Sequence, residues 1–134
     1  IVPHEELRAN HWHLLNAPEV TKTAETYQSF IWNSKGEISI AKHIYVAMNT
    51  GWFSDRSACY LASGRPVVLQ DTGFSKVLPT GMGLLSFKTP DEALNAVQEV
   101  EQNYDRHSKA ALEIAYEYFD SDRILNKMMD KICG

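Results

Sequence analysis

With 134 residues, 44% of them apolar and 22% charged, the chain is long enough to bury one core without disulfides or metal, and its composition excludes disorder. A net charge of −4 argues against broad binding to nucleic acid or acidic membranes, and no apolar run approaches the ~20 residues that span a bilayer. The two cysteines, Cys59 and Cys133, form no CxxC pair and read as reduced thiols of a cytoplasmic protein.

A single domain over 1–134 is expected, with an irregular lead-in over about 1–20 and a helical end over 89–133. The chain opens on Ile1 rather than Met, which reads as a fragment or a processed piece. His11 to Leu15 suggests a short strand ending at Asn16-Ala17-Pro18. His11 and His13 would share one face of it at metal-ligand spacing, but no Cys or carboxylate run accompanies them, and no metal is expected. From Thr21 to Trp32 the residues Ala24, Tyr27, Phe30 and Ile31 recur at helical spacing, and Asn33, Ser34 and Gly36 stop the helix. Ile38 and Ile40 suggest a strand, and Tyr45 to Met48 a second extended piece.

After Asn49-Thr50-Gly51, Ser54 or Asp55 supplies the N-cap of a helix through Ala58, Tyr60, Leu61 and Ala62. Gly64 ends it, with Pro66 two positions on. Val67-Val68-Leu69 is wholly apolar, the pattern of a parallel strand covered on both faces. Leu84 to Phe87 reads as another strand. Thr89-Pro90-Asp91-Glu92 is a capping box, opening a helix whose buried stripe is Ala93, Leu94, Ala96, Val97 and Val100. Two more helices follow, one with Ala110, Ala111, Ile114, Ala115 and Tyr118, the next with Ile124, Leu125, Met128, Met129 and Ile132 as core stripe. Strands alternating with helices imply an α/β domain: a mainly parallel sheet flanked by helices, with a C-terminal helical segment. Ligands of such sheets bind beyond the carboxyl ends of the strands.

Between Ser34 and Lys76 lie five cations, Lys35, Lys42, Arg56, Arg65 and Lys76, against the three anions Glu37, Asp55 and Asp71, in a chain that is acidic elsewhere. An anionic small ligand fits that placement. The helix start is sharper. Ser54-Asp55-Arg56-Ser57 offers backbone N–H groups, two hydroxyls and a guanidinium to a phosphate, although Asp55 competes for the same terminus. Glu37 and Lys42 flank the preceding strand, and Lys42 and His43 stand in the loop after it. G-x-S-x-G, Walker A and G-x-G-x-x-G motifs are absent.

The stretch from Ser57 to Val68, SACYLASGRPVV, resembles the "helix, small-small-Gly-x-Pro-Val-Val" signature of GT-B glycosyltransferases. Gln70-Asp71-Thr72-Gly73 looks like the donor-facing loop after that strand, and GLLSF with TPDEALNAV resembles the segment that follows. The resemblance covers about residues 37–129. It implies a Rossmann-like, C-terminal, nucleotide-sugar-binding lobe, with Ser54, Arg56, Ser57, Asp71, Thr72 and Gly73 contacting the donor; Lys42, beside the preceding strand, is placed to neutralise its diphosphate. It implies no cofactor beyond a nucleoside-diphosphate sugar as substrate. The N-terminal acceptor lobe would be a missing partner, so the fragment alone would be inactive. The glutamate pair of retaining members would fall on Gly51 and Cys59, so no catalytic residue carries over. Two alternatives stay open: a non-catalytic α/β interaction or oligomerisation module derived from such a lobe, and an epimerase-like lobe.

Overall fold

The computed structural model describes residues 3–133. The chain forms two compact units that divide between Asn33 and Ser34.

The first unit holds three helices, α1 (His4–Ala9), α2 (Ala17–Val20) and α3 (Ala24–Asn33). The lead-in expected to be irregular over 1–20 is therefore partly helical, and its signals are local. Glu5 and Glu6 occupy the first turn of α1 right after Pro3, where acids complement the helix dipole. At α2 the residue Asn16 stands at the N-cap, Pro18 lies in the first turn, and Asn16 Nδ2 donates to Glu19 Oε1 at 3.0 Å. The strand expected over 11–15 does not form; His11 sits at φ +64° in the left-handed region. The helix expected from Thr21 begins at Ala24. Before it Thr23 and Thr26 cap each other, each hydroxyl accepting the other's N–H, at 3.2 and 3.0 Å.

The second unit runs β1 (Glu37–Ser39), α4 (His43–Ala47), α5 (Asp55–Ala62), β2 (Val67–Gln70), a 3-10 turn at Phe74–Lys76, β3 (Leu84–Phe87), α6 (Pro90–Gln102), α7 (Tyr104–Phe119) and α8 (Ser121–Cys133). The three strands form one open sheet in the order β1-β2-β3, parallel throughout, with Ile38 opposite Val68 and Val68 opposite Leu85. This is an α/β fold built on a small parallel sheet. Val68, Leu85 and Phe87 share a core with Ala96 and Val100 of α6. Period two turns Val67, Leu69 and Leu84 to the opposite face, where α5 packs on β2 and α7 on β3. β2 is buried on both sides, as its unbroken apolar run requires.

Punctuation along this unit follows the local chemistry. Ser54 caps α5, its hydroxyl accepting the Arg56 N–H. At the other end the Arg65 N–H reaches Tyr60 O and the Gly64 N–H reaches Leu61 O, both at 2.9 Å, which closes a Schellman turn and aims the chain into β2. At α6 the Thr89 hydroxyl accepts the Glu92 N–H while the Glu92 carboxylate accepts the Thr89 N–H. Thr89→Ala removes one half of that box. It is expected to cost about 1 kcal/mol, measured as a lower thermal midpoint, with no change in ligand binding.

Three expectations are corrected here. Tyr45 to Met48 is not extended: α4 takes Tyr45 to Ala47 with Met48 as its C-cap, because no strand among the described residues lies alongside and the chain must turn back from the end of β1 toward α5. Leu94 is exposed on α6, while its stripe-mates Ala96 and Val100 are buried. On α8 the apolar stripe Ile124, Leu125, Met128, Met129 and Ile132 is exposed, and α8 buries no residue at all.

Candidate functional site

The carboxyl ends of β1 and β2 and the start of α5 enclose a cleft of about 340 Å³. Ser39, Ile40, Ala41 and Lys42 line it from the end of β1, and Leu69, Gln70, Thr72 and Phe74 from the end of β2. Ser54, Arg56 and Ser57 line it from α5, and Tyr45 and Trp52 complete the wall. Its position agrees with the general rule for parallel sheets. Its volume lies at the small end of the range for ligand sites, about 300–1,000 Å³.

The loops around it are stitched together. Gln70 Oε1 accepts the Ala41 N–H at 3.1 Å, tying the end of β2 to the loop after β1. The Gly51 N–H donates to Thr72 O at 2.8 Å, and the buried Thr72 hydroxyl donates to Trp52 O at 2.6 Å. Phe53 then stacks on Phe119 at 5.2 Å and meets Phe74 edge-on at 5.6 Å. This clasp fixes the segment that feeds α5. Trp52 stacks on Tyr45 with ring centroids 5.0 Å apart and planes 15° from parallel. It is half exposed, as are Trp12 and Trp32.

The polar groups divide by how fully they are engaged. Ser57 is completely buried, and its hydroxyl has no hydrogen-bond partner among the described residues. A buried hydroxyl in that state is costly unless something supplies its partner. The Arg56 N–H, at the start of α5, is taken by Ser54 Oγ at 3.3 Å and by Asp55 Oδ1 at 2.9 Å. Arg56 Nε donates to Glu37 Oε1 at 2.7 Å and Nη2 to Ser39 Oγ at 3.0 Å. Lys42 is exposed at the N-cap of α4.

Of the residues singled out in the sequence, the fold brings Lys42, Ser54, Arg56, Ser57 and Thr72 to one cleft. Asp71 and Gly73 do not line it. The Asp71 carboxylate shapes its own loop, accepting the Gly73 N–H at 2.9 Å and the Ser75 hydroxyl at 2.8 Å, with Lys88 Nζ at 4.0 Å. Burial raises the Asp71 carboxyl, but those hydrogen bonds, the Ser75 N–H and the Lys88 charge outweigh it and hold its pKa below the ordinary 3.8. A folded-state value below the unfolded one means that Asp71 stabilises the fold fully above the ordinary value and stops doing so as pH falls through the folded one. Asp71→Asn is therefore expected to flatten the acid limb of the urea midpoint plotted against pH below about 4. An unchanged slope would contradict this.

Ser39 and Tyr45 line the cleft without any expectation of it from the sequence, Gln70 does so from the expected donor-facing loop, and Glu37 gains its contact from Arg56. Glu37 had one visible signal, a charged side chain opening a short strand. Ser39 had only its place at a strand end.

Compared with protein-family models, with curated proteins and with solved structures, the chain finds no match. No helix among the described residues is long and apolar enough to cross a membrane.

Proposed function

We propose that the cleft holds the diphosphate of a nucleoside-diphosphate sugar, and that the chain is the donor-binding part of a glycosyltransferase. The observation that carries this reading is the buried, unpartnered Ser57 hydroxyl at the first turn of α5, in a cleft that also presents Lys42 and Arg56. A helix N-terminus, hydroxyl donors and two cations suit an anion with several oxygens. The Tyr45–Trp52 pair offers a flat aromatic wall for a ring next to it.

In the reaction the acceptor oxygen bonds to the anomeric carbon, the bond from that carbon to the diphosphate breaks, and the acceptor proton leaves to a base. Among the described residues the cleft lining contains no carboxylate or imidazole. Its part is to stabilise charge on the departing diphosphate and to position the donor. This reading assigns the base and the acceptor site to residues outside the cleft.

Calorimetric titration with pyrophosphate and with UDP-, GDP- and dTDP-sugars tests the reading. At least one nucleotide sugar is expected to bind. Ser57→Ala combined with Lys42→Ala is expected to weaken it by about tenfold or more at an unchanged thermal midpoint. Folded protein that binds none of these ligands would defeat the proposal. Asp55→Asn is expected to strengthen binding, because it removes a carboxylate that competes for the helix terminus.

A second reading, a non-catalytic interaction module derived from such a lobe, is favoured by the exposed apolar face of α8. It predicts that the Ser57 and Lys42 substitutions change no ligand affinity.

A further inference from the structure

Glu37 has no part in the chemistry above, yet it is the most deeply buried carboxylate of the second unit's site region, with its side chain 6% exposed. Its Oε1 accepts from Arg56 Nε at 2.7 Å, while Oε2 is buried and has no hydrogen-bond partner among the described residues. Arg56 is the only cation within ion-pair distance of it among the described residues. A carboxylate enclosed this way is tolerable only while it is paired. Arg56 therefore cannot swing away to meet a ligand without stranding a buried charge behind it. It must meet an anion with Nε still on Glu37, its plane further tethered by Nη2 on Ser39 Oγ at 3.0 Å.

We infer that Glu37 is a positioning residue of the anion cleft: it fixes the Arg56 guanidinium against the end of β1 and offsets part of its charge. The inference rests on the diphosphate reading of the cleft. It carries opposite signs for two substitutions. Glu37→Gln keeps an oxygen for Arg56 Nε and deletes a negative charge near the ligand. Glu37→Ala deletes the same charge but also removes the anchor on Nε, so that the guanidinium is held less firmly. A residue that merely repels the ligand would make both variants bind more tightly, and one that merely supports the fold would not separate them.

Pyrophosphate is the probe, titrated calorimetrically at two salt concentrations, with the thermal midpoint of each variant measured alongside. Glu37→Gln is expected to bind about threefold more tightly than the unmodified protein, with the gain shrinking at high salt. Glu37→Ala is expected to bind about fivefold more weakly, since a less firmly held Arg56 must be ordered at each binding event. On an Arg56→Ala background Glu37→Gln and Glu37→Ala should bind alike, because no guanidinium remains to be positioned. If Glu37→Ala does not fold, Ser39→Ala removes the second tether and is expected to weaken binding about twofold at an unchanged midpoint. Both Glu37 variants tightening, both weakening equally, or neither changing would each overturn the inference while leaving the cleft reading intact. Failure of the unmodified protein to bind either pyrophosphate or a nucleotide sugar would remove the cleft reading, and the inference with it.

Discussion

Gly83→Ala is expected to lower stability by about 3 kcal/mol, seen as a fall of about 10 °C in thermal midpoint. Two penalties combine. Gly83 has φ +76°, where an L side chain is strained by about 1–2 kcal/mol. A Cβ there would also lie 2.4 Å from Ala111 N and 2.7 Å from Ala110 C. Those are backbone atoms of α7, so no side chain can rotate away, and β3 and α7 would have to separate. The glycine is further held from both sides: its carbonyl accepts the Val67 N–H at 2.9 Å, and its N–H donates to His107 Nδ1 at 3.1 Å. His107 is completely buried. Accepting that bond places its proton on Nε2, which faces Glu99 Oε1 at 3.5 Å. Gly51→Ala is the natural control. It carries a similar φ of +75° but would meet nothing within 4 Å, so only the strain of about 1–2 kcal/mol remains. Equal losses in the two variants would show that the approach to α7 does not matter.

Arg56→Ala has the second large effect, on binding and stability together. Loss of a charge-assisted donor at the cleft is expected to weaken diphosphate binding about 100-fold. Stability should fall as well, by about 2 kcal/mol, because Glu37 is left buried without its cation; the figure is set below that of a fully buried pair because Arg56 is half exposed. Lys42→Ala separates the two effects. Lys42 is exposed, so its loss is expected to weaken binding about fivefold and leave the urea midpoint unchanged. An Arg56→Ala protein of undiminished stability would mean that Glu37 finds another partner. The consequence for experiment is practical: Arg56 alone is a poor probe of the site, and Ser57 with Lys42 is a better one.

The sequence by itself determined the parts whose causes lie within a few residues. Ser54, Gly64 with Pro66, and the Thr89–Glu92 box bound their helices because caps are contacts between near neighbours. Val67 to Leu69 read as a doubly covered parallel strand because such a strand has no polar face to show. Asn16-Ala17-Pro18-Glu19 holds an equally local helix start, although the apolar residues before it suggest the end of a strand. The tertiary structure alone decided the rest. Tyr45 and Val46 favour strands, yet with no strand to pair beside them they form α4. The stripe on α8 has the period of a core helix, but period states only which residues share a face, and that face is exposed. Glu37 and Arg56 lie nineteen residues apart, and their ion pair exists because β1 and α5 meet at one end of the sheet. The same packing leaves the Ser57 hydroxyl buried without a partner, since burial comes from what surrounds a residue. Spacing along the chain could propose Ser54, Arg56 and Ser57 as one group, but only the packed sheet and helix set what each has left to offer a ligand.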